Sequence, residues 1–200
     1  MNKILSFGRS CKAYLRLYKE QGPDVKLCCE NCNRKLHKHG RYFRWVTSKS
    51  EHIHIPIYRW LCPSCGTTIS LLPDFLIPWA RFTTWVRESV IVRKRQGKSL
   101  GWIAGAVVST RIGLSPSTVK RWWKQQTAKV AATSLWIASQ LVKAGCEEDL
   151  LRMHPKPVAV EPADTWIWFG QLVQRYAPRL SRLRGYWTFL NAKIPREYLL

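Results

Sequence analysis

Two short cysteine pairs are the first residues with evident chemistry. Cys29-Glu30-Asn31-Cys32 and Cys62-Pro63-Ser64-Cys65 each put two thiols at Cys-x-x-Cys spacing. A tight turn of that length aims both sulfurs at one ion, while backbone N–H groups point at the sulfurs. Two such knuckles supply four soft ligands, enough to close a tetrahedral Zn2+ site with no open position. A closed site is structural. The expected cofactor is therefore one structural Zn2+ held by Cys29, Cys32, Cys62 and Cys65. Gly66 follows the second knuckle and suits the positive φ that such a turn commonly requires. Cys28 remains an alternative to Cys29, at Cys-x3-Cys spacing from Cys32. Cys11 and Cys146 read as small buried hydrophobes. A count of seven cysteines is odd, and with no secretion signal it argues against a disulfide framework.

The segment between the knuckles must position them. Residues 35–46 and 52–61 read as two strands around a polar turn at 47–51. In His52-Ile53-His54-Ile55-Pro56-Ile57 the alternation is strict, so Ile53, Ile55 and Ile57 share a face. Pro56 lacks an N–H, which predicts a free strand edge there. Knuckle, hairpin, knuckle is the layout of a zinc ribbon. His37, His39, His52 and His54 read as surface or sheet residues rather than ligands. His39 and Arg41 are candidates for phosphate contact.

Beyond residue 80 the period becomes helical. A helix is expected from Thr83 or Thr84 to Gln96, stopped by Gly97, with Arg93, Arg95 and Lys98 as a cationic cluster at its end. Ser99 caps a second helix over residues 100–108, whose buried stripe would be Ile103, Ala104 and Val107. After a turn over residues 109–114, Ser115 and Pro116 occupy the N-cap and the first helical position, which both residue types favour. Val119, Trp122 and Trp123 would face inward; Ser117, Thr118, Lys120, Arg121 and Lys124 would face out. Hydroxyls at the helix start with long cations behind them suit a recognition helix in a DNA major groove. A separate helix is expected over 130–143, with Leu135, Trp136, Ala138 and Leu141 or Val142 inward.

Charge fits this reading. Among 200 residues, 33 are Lys or Arg and 12 are Asp or Glu, for a formal net charge of +21. Such a surface attracts polyanions, nucleic acid first and an anionic membrane second. Hydrophobic residues at 46% supply a core, so wholesale disorder is excluded. No apolar run spans a bilayer, and the apolar run at Met1–Leu5 is too short for a signal peptide. A cytoplasmic, nucleoid-associated location is expected. Metal-dependent nucleic-acid cleavage needs several convergent carboxylates. Here they are few, and Glu147, Glu148 and Asp149 are contiguous, which fans their side chains apart. No phosphate loop or nucleophile elbow occurs. No catalytic residue and no enzymatic activity are expected.

The run from Cys29 to Trp79 resembles the zinc-ribbon segment of bacterial mobile-element proteins. The matching stretches are Cys-x-x-Cys, His39-Gly40-Arg41-Tyr42-x-Arg44, Arg59-x-x-Cys62-Pro63-x-Cys65-Gly66 and Leu71-Leu72-Pro73-Asp74-Phe75-Leu76-Ile77-Pro78. Residues 114–122 are similar to helix-turn-helix segments of the same group. In insertion-sequence transposases such a part grips the element's ends, and a carboxylate catalytic domain follows. The catalytic domain has no counterpart here, so the resemblance implies a DNA-binding subunit beside a separately encoded transposase or recombinase.

The expected fold class is α+β: a small antiparallel zinc ribbon, then a mostly α helix-turn-helix domain and a helical tail. Residues 1–24 read as an N-terminal helical arm, 25–79 as the ribbon, 80–145 as the helix-turn-helix domain, 146–164 as a Pro-rich linker and 165–200 as a Trp-rich helical tail. The expected partners are double-stranded DNA, a transposase or recombinase docked on the tail, and a second copy of the chain, with no membrane. Two alternatives stay open: a transcriptional regulator of the same chemistry, and an RNA-binding zinc-ribbon protein whose Trp and Tyr residues stack on bases.

Overall fold

The computed structural model describes residues 2–7, 10–109, 111–143 and 145, with residues 168 and 171 besides. The linker at 146–164, the carboxylate cluster within it, Cys146 and, apart from residues 168 and 171, the tail expected to be helical lie outside the described residues. The fold is mixed α+β. A four-stranded sheet, in the spatial order β1 (Asn2–Leu5), β4 (Thr68–Pro73), β3 (His52–Leu61), β2 (His37–Thr47), is followed by a group of helices.

The hairpin forms close to expectation. Strands β2 (His37–Thr47) and β3 (His52–Leu61) pair antiparallel, with Val46 opposite Ile53 and Arg44 opposite Ile55. Ile55 and Ile57 are fully buried, as the alternation requires. β4 (Thr68–Pro73) pairs antiparallel with β3 only from Tyr58 to Leu61, which leaves Pro56 with a strand neighbour on one side alone. The Pro56 carbonyl is satisfied from helix α1 (Cys11–Tyr18): the Tyr14 hydroxyl donates to it at 2.9 Å.

The first 24 residues are not simply helical. β1 (Asn2–Leu5) runs parallel to β4 and pairs with Ser70 through Pro73. The sheet is therefore mixed rather than purely antiparallel. The physical reason is edge protection. Without β1, the outer edge of β4 would expose a row of unpaired backbone groups. Past β1, the Asp74 N–H donates to the Leu5 carbonyl at 3.0 Å, and the Ser6 hydroxyl donates to the Asp74 carboxylate at 2.6 Å. α1 then packs across β3. Tyr58 reaches back to donate to the Tyr18 carbonyl at 2.7 Å, and its ring lies where a side chain on Gly22 would collide with it.

Three helices complete the described chain: α2 (Thr84–Arg95), α3 (Leu100–Val107) and α4 (Pro116–Lys143). Ser99 accepts from the Trp102 N–H and Ser115 from the Thr118 N–H, both as expected of N-caps. Ile103, Ala104 and Val107 are buried against Val86, Val90, Val119 and Trp122. Two expectations fail here. α4 runs unbroken for 28 residues, so there is no separate helix at 130–143. No Gly or Pro lies between Lys124 and Val130 to interrupt it. Its inward positions shift accordingly. Trp123 is half-buried while Gln126 is buried, and farther along Thr133, Ile137 and Leu141 are buried while Leu135 is 76% exposed.

The sheet core and the helical core meet at the start of α2. Phe82 packs edge-on against Trp122 at 5.2 Å, and Trp85 packs on Phe75 at 5.5 Å. The link is also hydrogen-bonded, through Thr47 N–H to the Arg81 carbonyl and Thr83 N–H to the Thr47 carbonyl. No helix among the described residues is long and apolar enough to cross a membrane.

Candidate metal centre and cationic surface

The two knuckles have the same backbone design. In the first, the Cys29 N–H donates to the Arg34 carbonyl at 2.8 Å and the Asn33 N–H to the Cys29 carbonyl at 2.9 Å. In the second, Cys62 donates to Thr67 and Gly66 to Cys62, both at 2.9 Å. Gly66 has φ of 70° and Asn33 has φ of 53°. Asn is among the few residues other than Gly that take this conformation at modest cost. Asn33 is thus the counterpart of Gly66 in the first knuckle. The knuckles are also tied directly, Asn31 Nδ2 donating to Thr67 Oγ1 at 3.1 Å.

These turns bring the sulfurs of Cys29, Cys32, Cys62 and Cys65 within 4.8 Å of one another. Cys29 to Cys65 is 3.5 Å, Cys32 to Cys62 is 3.4 Å and Cys32 to Cys65 is 3.7 Å. These spacings are far longer than a disulfide bond. An ion about 2.3 Å from each of four tetrahedral sulfurs spaces them about 3.8 Å apart, so the arrangement could hold one metal ion. Cys28 points elsewhere: it is exposed and outside the cluster, bridged through its backbone to Lys35. Cys29 and Cys62 are buried in the sheet core, which joins the centre to the fold. Hydrogen bonding with the Thr67 hydroxyl and backbone N–H, and with Cys62 and Cys29, brings Cys65 down to about 6. The cluster titrates as one set, in which hydrogen bonds between the sulfurs lower Cys65 and raise Cys32. Cys11, by contrast, is a buried thiol pushed up to about 12 by burial and by the charge of Glu51.

The residues expected to meet DNA fall into three groups. On α4, Lys120, Arg121 and Lys124 are exposed, while Val119 and Trp122 are buried on the opposite face. The hydroxyls of the first turn are partly committed. Ser115 Oγ lies 2.9 Å from both Ser117 Oγ and Thr118 Oγ1, besides capping the helix. At the end of α2, Arg93 and Lys98 both stand over the exposed Trp102 ring, at 5.4 and 5.2 Å, and Arg95 is exposed. On the hairpin, His39 is exposed. Arg41 donates to the Lys19 carbonyl at 2.6 Å and stands over Phe43 at 5.3 Å, so its guanidinium also fastens the loop after α1. Across α2, α3 and α4 the sole acidic residue is Glu88, and none of the three helices carries an acid in its first turn.

Two surface features escaped the sequence reading. The first is a row of stacked rings on the hairpin. Trp45 lies 4.7 Å from His52 and 4.7 Å from His54, with planes 6° and 20° apart, and Phe43 lies 5.0 Å from His54. All four are exposed. Cross-strand pairing of Trp45 with His54 creates the row, and only register reveals it. The second is Trp79, 91% exposed with φ of 64°. Arg44 braces its loop by donating to the Ile77 and Ala80 carbonyls, and burial lowers the Arg44 pKa.

No curated protein and no solved structure matches this chain. Residues 29–122, just under half of the chain, match a protein family described as a domain of unknown function, DUF6431; the matched stretch opens at the first clustered cysteine and closes at Trp122 of α4.

Proposed function

We propose that this chain is a sequence-specific double-stranded-DNA-binding protein of a bacterial mobile element, which marks the element's ends for a separately encoded transposase or recombinase. The observation that carries the reading is the two-sidedness of α4. Its early turns bury Val119 and Trp122 in the helical core and turn Lys120, Arg121 and Lys124 to solvent. In this reading α3 and α4 are the two helices of a helix-turn-helix, and the start of α4 enters the major groove. Lys and Arg hold backbone phosphates, and the hydroxyls of the first turn lie nearest the bases.

The four cysteines hold one structural Zn2+ in a ribbon formed by the knuckles and the hairpin. Four thiolates suit zinc better than a hard cation, which prefers oxygen. The ion has no catalytic part. It fixes the ribbon, and the ribbon holds α2 through the Thr47 and Trp85 contacts. A nuclease footprint on DNA from the flanks of the gene tests the reading. Protection of one short site, lost in Arg121→Ala, is expected. Protection that is absent, or indifferent to sequence, contradicts it. A palindromic footprint within a promoter would favour a dimeric transcriptional regulator instead.

A second reading has its own support in the row formed by Phe43, His54, Trp45 and His52. Exposed rings on a sheet suit stacking on unpaired bases. It makes the chain a single-strand RNA binder and predicts tighter binding to unpaired RNA than to duplex DNA, lost in Trp45→Ala.

A further inference from the structure

α2 and α4 bring two cationic side chains to one side of Trp122, where no carboxylate among the described residues pairs with either. Arg87 stands over the Trp122 ring, 5.0 Å from its centroid. Its Nε is buried and has no hydrogen-bond partner among the described residues. Arg121, next to Trp122 in sequence, is exposed, and its charge is felt at Arg87. Burial first, and the positive charge of Arg121 second, lower Arg87 to about 10. The two ion pairs among the described residues, Lys12 with Glu51 and Lys19 with Glu20, lie elsewhere. Glu88 follows Arg87 on α2, but adjacent helical residues do not face each other. Glu88 instead lines the cleft by Lys49 and Arg93.

A half-buried cation without a counter-charge is costly, and a second cation beside it raises that cost. The Trp122 ring offsets part of it, by roughly 0.5–2 kcal/mol. A bound anion would offset the rest. A guanidinium with its plane fixed by an aromatic face is also well prepared for forked hydrogen bonding to phosphate oxygens.

We propose that Arg87 and Arg121 together bind a single backbone phosphate of the DNA, with Trp122 as the wall that holds Arg87 in place. This rests on the duplex-binding reading above and adds a residue from outside α4. Arg87 is a phosphate ligand supplied by α2, and it sets how α4 sits in the groove. Such a contact carries no sequence information. It fixes register and contributes about equally at every site.

The test pairs stability with salt dependence, using the full-length chain as Arg87→Met, Arg121→Met, the double variant and Arg87→Lys. Methionine keeps the apolar stem and removes the charge. Without DNA, R87M is expected to unfold at or above the wild-type temperature, because an unpaired charge has gone. With duplex DNA, each single variant is expected to make the slope of log affinity against log salt shallower by about 0.9. The double variant is expected to lose about the same 0.9, since both residues hold one phosphate, and R87K is expected to retain the wild-type slope. A wild-type slope in R87M overturns the site and leaves the duplex reading standing. A double variant that loses about twice the single-variant change overturns the sharing. A sharp fall in R87M stability assigns the guanidinium to the Trp122 contact and likewise overturns the site. A wild-type chain that does not bind duplex DNA overturns the duplex reading, and this site with it.

Discussion

At the scale of single residues, the four cysteines and Asp74 make the firmest predictions. Replacing Cys62 and Cys65 with Ser leaves two sulfurs, too few to close the centre. Because metal binding and folding are linked, the double variant is expected to lose bound metal and the cooperative unfolding of the sheet, measured by elemental analysis and circular dichroism. Asp74 makes a pH prediction. Burial pushes its carboxyl up to about 6, against the lowering effect of the Ser6 hydroxyl and the backbone N–H groups of Phe75 and Asp74. The folded state therefore binds this proton more tightly than the unfolded state does. Its contribution is fully present below the ordinary carboxyl value near 4, and is lost as pH rises through about 6. Asp74→Asn is expected to remove this downward step in stability between about pH 4 and 6, seen by chemical denaturation at several pH values. A step of unchanged size in the variant would assign it to another group. Asn33 shows where residue-level reading stopped. Its left-handed backbone mirrors Gly66, yet only the glycine advertises that conformation by type.

At the scale of elements, caps and strand register decide what could be read. Ser99 and Ser115 lie at the starts of α3 and α4 because a hydroxyl accepting an N–H two or three residues on is a local event, and local events are legible. Ser115→Ala is expected to cost about 1 kcal/mol in thermal or chemical unfolding, with an unchanged metal content. β1 was not legible, because four residues carry no usable period and their pairing with β4 is set by a strand some seventy residues away. The length of α4 was not legible for a related reason. A change of inward face along one helix looks like two helices when the partners on each side are unknown. The row of rings on the hairpin likewise depends on which residues of β2 and β3 stand opposite.

At the scale of the whole molecule, two cores share one joint. The sheet core contains Cys29, Cys62, Trp60 and Phe75; the helical core contains Val90, Ile103, Val119 and Trp122. Phe82 and Trp85 reach into one core each from the start of α2. Ile103→Ala is expected to cost about 2–5 kcal/mol and to loosen the helices while the cysteine cluster still takes up metal. Metal loss with that variant would mean that the two cores fold as one unit. The arrangement also suits the proposed role: a braced base on one side, and on the other a group of helices with one acidic residue among them and cations turned outward. The large excess of basic residues was plain from composition, but its concentration on one face of α4 needed the packing of Val119 and Trp122 to become visible.

The most direct measurement is the affinity of the purified chain for a duplex carrying its flanking DNA, taken across roughly 50 to 200 mM salt. Proteins making 6–10 phosphate contacts lose about 10³- to 10⁵-fold over that range. A steep linear fall of that kind, together with tighter binding than to an unrelated duplex, is the predicted result. A folded, metal-loaded chain whose duplex affinity is negligible at low salt, or flat across the range, would contradict the account.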